Sequence, residues 1–186
     1  MSLLKEDRRD FLKKSSLLLS SAIIPSEVFA KTRKPQPLYL FNTHIQKVFR
    51  PKVFTDSWKY DIIGLFELDK AMMDYRTYQI KRIDLKLVNL LYKIQSYIGF
   101  DRKIYIISGY RSPATNNYLR KHSYGVAKNS YHVKAKAADI HIEGMRLSRA
   151  RDIIRGINEN GGVGYYPNSG FIHTDVGPKR SWMTLG

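Results

Sequence analysis

The sequence contains no cysteine. Disulfides and thiolate metal sites are therefore excluded, and any metal must be held by histidine and carboxylate. Carboxylates are themselves scarce: 16 Asp and Glu face 32 Lys and Arg, for a net charge of +16. In the first thirty residues Lys5, Arg8, Arg9, Lys13 and Lys14 are nearly balanced by Glu6, Asp7, Asp10 and Glu27, so the excess lies beyond them. Such a surface attracts polyanions, whether nucleic acid, anionic lipid or cell-wall polymer. The charge is scattered rather than blocked, which fits a solvated surface drawn to an anionic matrix. No apolar run reaches the roughly 20 residues that span a bilayer. Internal repeats and low-complexity tracts are also missing. What remains is a chain of 186 residues, 43% apolar, enough to bury the core of one domain.

The N-terminus reads as an export signal. Arg8-Arg9-Asp10-Phe11-Leu12-Lys13-Lys14 is a twin-arginine pattern, and the apolar stretch Ser15 to Pro25 follows it. Val28-Phe29-Ala30 then offers small or β-branched residues for cleavage after Ala30. The expected organisation is a leader over 1–30, a polar linker over 31–36 and a globular domain over 37–186. Twin-arginine export carries folded proteins, so transient contact with that machinery is expected.

Beyond the linker, Leu38 to Thr43 and Ile45 to Phe54 read as strands, the second interrupted by Pro51. A helix is expected over Phe66 to Tyr75. The clearest helix follows Asp84, a suitable N-cap, with Leu85, Leu87, Val88, Leu91, Tyr92, Ile94 and Ile98 on a broad apolar face and Gly99 at its end. Lys103 to Ser108 reads as a buried strand, Thr115 to Arg120 as a short helix after Pro113, and Ala137 to Ile142 as a strand. A helix over Ser148 to Asn160 precedes a hairpin, Val163 to Tyr166 and Gly170 to Val176. Helices and strands alternate without a regular βαβ rhythm. That predicts an α+β domain with a central, mainly antiparallel sheet and flanking helices.

Two stretches carry chemistry. His132 lies seven residues before Asp139, and His173 sits on a short apolar strand. Two imidazoles and one carboxylate form a common shell for catalytic Zn²⁺, with one position left for water. A single histidine is ordinarily a surface or packed residue, and His44, His122 and His141 have no partner that argues otherwise. His132 and Asp139 differ because Ala135, Ala137 and Ala138 between them permit close backbone approach. Zinc so held activates water and polarises a carbonyl, which suits amide hydrolysis. Asp175, two residues past His173 on a strand, points to the same face. It is a candidate base for the water or an orienting group for a ligand. Arg111, in the turn Ser108-Gly109-Tyr110-Arg111-Ser112-Pro113, is placed to offset negative charge in a tetrahedral intermediate. Ser130, Tyr110, Tyr165, Tyr166 and Trp182 are candidate substrate contacts.

Taken together, Ser108 to Asn116, Ser130-Tyr131-His132 with Asp139, Gly161-Gly162-Val163-Gly164-Tyr165-Tyr166-Pro167 and Phe171 to Pro178 with Trp182 resemble the murein endopeptidase K type of the M15-like metallopeptidases. The resemblance runs from about Leu38 to the C-terminus and includes the twin-arginine leader. It implies the fold shared by hedgehog, lysostaphin and D-Ala-D-Ala peptidases, with zinc on the sheet held by His132, Asp139 and His173. It also implies a periplasmic hydrolase, expected as a monomer, that cuts cross-links between peptidoglycan stem peptides. Two departures stand out. Ala135 occupies a position that is usually Gly, at a cost of about 1 kcal/mol if φ there is positive. Gly170 occupies the position of the catalytic Glu in the related D-Ala-D-Ala peptidases, so no base transfers from them. A carboxypeptidase on stem peptides and a non-catalytic wall-binding module are the alternatives. Charge alone suggests nucleic acid; the export signal and the lack of an aromatic-basic platform oppose it.

Overall fold

One twisted sheet carries the hydrophobic core on one face and the chemistry on the other. The computed structural model describes residues 34–123 and 126–185. The twin-arginine stretch, the apolar run and the cleavage site lie outside them. From Pro35 onward the chain forms one unit.

The elements, in order, are β1 (Leu40–Asn42), β2 (Lys47–Phe49), α1 (Ile62–Ala71), α2 (Leu85–Ile98), β3 (Ile104–Ser108), α3 (Pro113–His122), β4 (Ala137–Ile142), α4 (Leu147–Ile157), β5 (Gly162–Tyr166), β6 (Phe171–Asp175) and β7 (Arg180–Met183). The strands form a single sheet in the order β2-β1-β3-β4-β6-β5-β7. Only β1–β3 and β5–β7 are parallel; the other four pairings are antiparallel. The architecture is α+β, as the irregular alternation of elements predicts.

Leu40, Ile104, Ile106, Ile140, Ile142 and Ile172 are fully buried on the core face. Helix α2 supplies Leu87, Leu91 and Ile94 to the same core. Burying each of these side chains is worth roughly 1.5–3 kcal/mol. Asp84 caps α2 by accepting the Lys86 amide, and Gly99, at φ 96°, ends it. Helix α4 packs against α2 and against β4, β5 and β6, so the strands that carry the site are braced from behind.

Three elements differ from expectation. Helix α1 begins at Ile62 rather than Phe66, because the Asp61 side chain caps it by accepting the Gly64 amide at 2.8 Å. Ile62 and Ile63 are exposed, so the first turn shows no apolar period. Strand β2 stops at Phe49 rather than running to Phe54, since Pro51 cannot donate to a ladder. Strand β7 has no counterpart in the sequence reading: its residues Arg180, Ser181, Trp182 and Met183 lack the β-branched content that marks strands.

Candidate metal centre

Asp139 on β4 and His173 on β6 are cross-strand partners. They share the face opposite the core with Gly164 and Trp182, which continue the same row across β5 and β7. His132 reaches the pair from a tight turn before β4. In that turn the Val133 amide donates to the Ser130 carbonyl, Ala135 to His132 and Lys136 to Tyr131. A 5→2 bond nested in a 6→1 bond is the Schellman arrangement, whose C′ residue adopts positive φ. Ala135 occupies that position at φ 55°. The Ser130 hydroxyl accepts the His132 amide at 3.2 Å and fixes the start of the turn.

His132, Asp139 and His173 each offer one ligand atom, and these atoms lie within 4.8 Å of one another. All three residues are buried. His132 Nδ1 lies 2.7 Å from the Gly109 carbonyl, which can only accept, so Nδ1 carries the proton and Nε2 a lone pair. His173 Nε2 lies 2.8 Å from Asp175 Oδ2 and donates to it, which leaves Nδ1 facing inward. His132 Nε2 is 3.2 Å from His173 Nδ1 and 3.2 Å from Asp139 Oδ1, and His173 Nδ1 is 2.8 Å from that oxygen. Three acceptor sites thus converge with no donor of their own between them. Only a cation or a proton reconciles such a cluster, and two imidazoles with a carboxylate are the donor set that divalent transition metals take. The residues fit a metal.

The electrostatics follow from this packing. Burial opposes ionisation of Asp139, yet its close contacts with His132 and His173 hold it well below the usual carboxylate range. Burial pushes His132 down. His173 is pulled down by burial but raised further by its contacts with Asp139 and Asp175. Asp175 is fully buried and its carboxylate is committed. Oδ1 accepts the Gly177 amide at 2.8 Å and Arg180 Nη1 at 3.1 Å, while Oδ2 accepts Arg180 Nη2 at 2.6 Å. These donors and His173 outweigh burial and lower its pKa.

The remaining candidates are distributed unevenly. Arg111 reaches the centre: Nε donates to Ser108 Oγ at 2.8 Å and Nη2 pairs with Asp139 Oδ2. The Trp182 ring lies 5.3 Å from His173, and its Nε1 donates to the Tyr166 hydroxyl at 3.0 Å. Tyr166 stacks on Phe171, its cross-strand partner on the same face of the sheet. Tyr165 faces the other way, beneath the Arg151 guanidinium on the α4 side of the sheet. Tyr110 is buried in the core cluster, with Lys81 over its ring. Arg180 and Gly109 were not singled out from the sequence. A backbone carbonyl leaves no residue-type signal, and Arg180 lies on the strand that was not anticipated.

A buried His-Asp-His cluster on a mainly antiparallel sheet is a donor set suited to a metal-dependent hydrolase, and the family match makes the chain a metallopeptidase of the M15 group. The chain belongs to the family described as peptidoglycan L,D-endopeptidase MepK, whose model matches residues 30–182. Peptidoglycan L,D-endopeptidase MepK of Escherichia coli (strain K12) is 43% identical over 178 residues, covering 95% of this chain and 97% of the relative. A probable peptidoglycan L,D-endopeptidase MepK of Haemophilus influenzae is 38% identical over 184 residues, covering 98% of each chain.

Proposed function

We propose that this protein is a zinc-dependent endopeptidase that hydrolyses L,D-type cross-links between peptidoglycan stem peptides in the periplasm, after twin-arginine export. The observation that carries it is the convergence of His132 Nε2, His173 Nδ1 and Asp139 Oδ1 at a buried point lacking its own donor. The relatives' named activity supplies the substrate class, and the +16 charge suits an anionic wall polymer.

His132, Asp139 and His173 would hold Zn²⁺. When bound, it supplies a Lewis acid that polarises the scissile carbonyl and makes water nucleophilic near neutral pH. The chain's own residues do the rest. Gly109 and Asp175 hold protons on the far nitrogens of His132 and His173, so the near nitrogens stay free. Asp175 acts as an orienting carboxylate, because His173, Gly177 and Arg180 occupy its oxygens. Arg111 steadies Asp139 through Nη2. Its Nη1 takes no hydrogen bond among the described residues and is available to the oxygen that gains charge. Trp182 and Tyr166 form an aromatic border beside His173 that can seat a stem peptide.

The test is muropeptide analysis of sacculi treated with zinc-loaded and with chelated protein. Zinc-loaded protein should convert cross-linked dimers to monomers, and chelated protein should not. Release of terminal amino acids without dimer cleavage would identify a carboxypeptidase. Binding without any cleavage would identify a wall-binding module. Export is tested separately: substituting Lys for both Arg8 and Arg9 should retain the protein in the cytoplasm.

A further inference from the structure

We infer that Arg180 is a positioning residue of this centre: reaching across Gly162, it locks Asp175 and so sets the orientation of the His173 ring. The inference rests on the metal-site reading above.

Two rows cross the sheet at its β6–β5–β7 end. In one, Asp175, Gly162 and Arg180 are successive cross-strand partners; in the next, His173, Gly164 and Trp182 are. Both middle positions lack a side chain. A Cβ on Gly162 would collide with the Asp175 carboxylate and with Arg180 Nη1, and a Cβ on Gly164 would collide with the Trp182 ring. The Gly162-Val163-Gly164 spacing therefore opens two lanes over β5. Through them, side chains of the edge strand β7 reach the functional residues of β6.

Arg180 uses its lane to grip both oxygens of Asp175, Nη1 on Oδ1 at 3.1 Å and Nη2 on Oδ2 at 2.6 Å. A planar two-pronged donor fixes the rotation of a carboxylate, which a point charge does not. The guanidinium is itself held in place. It lies 5.0 Å from the Tyr131 ring and 5.1 Å from the Trp182 ring, and Nη1 also donates to the Pro178 carbonyl at 3.0 Å. Tyr131 immediately precedes His132, so the same arginine also braces the turn that carries a second candidate ligand. With Asp175 fixed, Oδ2 accepts the hydrogen bond donated by His173 Nε2 and Nδ1 faces Asp139 and His132. If Asp175 were free to rotate, the ring could flip and present the wrong nitrogen. Carboxylates that orient ligand histidines typically matter to metal affinity by about 10–100-fold.

The experiment compares wild type, Arg180→Met and His132→Ala. It reads zinc affinity by chelator competition and the ring state of His173 by ¹⁵N NMR of zinc-loaded protein. Wild type should bind one zinc with a single His173 signal set, ligated through Nδ1. Arg180→Met should bind zinc about 10–100-fold more weakly and show two His173 ring states. Wild-type affinity together with a single Nδ1 state in that variant overturns the inference. Where Arg180→Met does not fold, Arg180→Gln is read against the same two outcomes. Failure of the underlying site looks different: wild type would take up no stoichiometric zinc, or His132→Ala would hold zinc as tightly as wild type.

Discussion

Asp139 stands directly opposite His173 across the β4–β6 ladder, and their side chains meet at 2.8 Å. Cross-strand partners have Cβ atoms about 4.5–5.5 Å apart by the geometry of the ladder itself. Two of the three ligand positions are thus set by main-chain hydrogen bonds, with α4 packed behind. Only His132 depends on a turn. A centre built this way is organised before any cation arrives, so truncating a ligand should remove function without removing the fold.

The first prediction concerns those ligands. His132→Ala and His173→Ala should each lose stoichiometric zinc and lose muropeptide cleavage to below detection. Circular dichroism should still report the α+β fold. Metal analysis beside the sacculus digest checks both halves, and full activity in either variant would remove the site assignment.

Asp175→Asn separates two roles. An orienting carboxylate predicts zinc affinity about 10–100-fold weaker, with turnover recovering at saturating zinc. A base acting on water predicts unchanged affinity and turnover lost even at saturation. We expect the first, because the oxygens of Asp175 already accept from His173, Gly177 and Arg180. Titrating zinc into the variant while following cleavage distinguishes them.

What the sequence disclosed, and what it hid, follows the reach of its signals. The α2 helix was legible because its cap and apolar face are local. The strands β3, β4 and β6 were legible because Ile104 to Ile107 and the Ala137 and Phe171 runs are apolar. His132, Asp139 and His173 stood out by residue type, and the family resemblance tied them together. Arg180 was hidden because β7 is short, polar and held mainly by its parallel partner β5. Tyr110 and Tyr165 show why aromatics are ambiguous: one beside a functional motif packs as readily into the core as into a groove. Which sheet face Tyr165 occupies is a matter of register, which composition does not carry.

Arg111 provides a kinetic prediction. Its Nη2 holds Asp139, and Nη1 makes no hydrogen bond among the described residues, which leaves it to meet developing charge. Arg111→Ala should keep zinc and lower kcat by about 10²–10³ with KM changed much less, as loss of a transition-state donor does. Steady-state rates on a soluble cross-linked dipeptide fragment test this. A raised KM at unchanged kcat would make Arg111 a ground-state contact.

Asp74 links stability to pH. It is buried, and its carboxylate accepts the Ser112 amide at 2.8 Å and the Arg76 amide at 3.0 Å, so it pins the turn that carries Arg111. Burial raises its pKa, but the adjacent Thr115 and Ser112 side chains and the hydrogen bonds from the Ser112 and Arg76 amides outweigh that and leave it below the ordinary value of 3.8. A depressed folded pKa contributes stability that is complete above the unfolded value and disappears as pH falls through the folded one. Asp74→Ala should cost about 1–3 kcal/mol at pH 7, since it strands a buried amide. The gap to wild type should narrow as the pH falls below about 4, where the unfolded carboxyl begins to hold its proton. Denaturant titrations at several pH values check both the size and the sign.

Ala135 tests whether the ligand turn is strained. It sits at φ 55° and is fully buried; its amide donates to the His132 carbonyl at 3.0 Å, and its own carbonyl accepts the Asp84 amide at 3.0 Å. A non-glycine residue in the left-handed region costs about 1–2 kcal/mol. Ala135→Gly removes that cost but adds backbone entropy to the unfolded chain, worth roughly 0.5–1 kcal/mol, and forfeits one buried methyl. The opposing terms nearly cancel, so the glycine variant should match wild type or exceed it by under about 1 kcal/mol and should bind zinc normally. Ala135→Val should behave oppositely, because branching at Cβ makes positive φ least tolerable and added volume strains a filled core by about 1–3 kcal/mol. It should lose stability and weaken zinc together, since His132 shares the turn. If the glycine variant instead lost several kcal/mol, the turn would hold no strain to relieve, and Ala135 would matter to the centre only as packing.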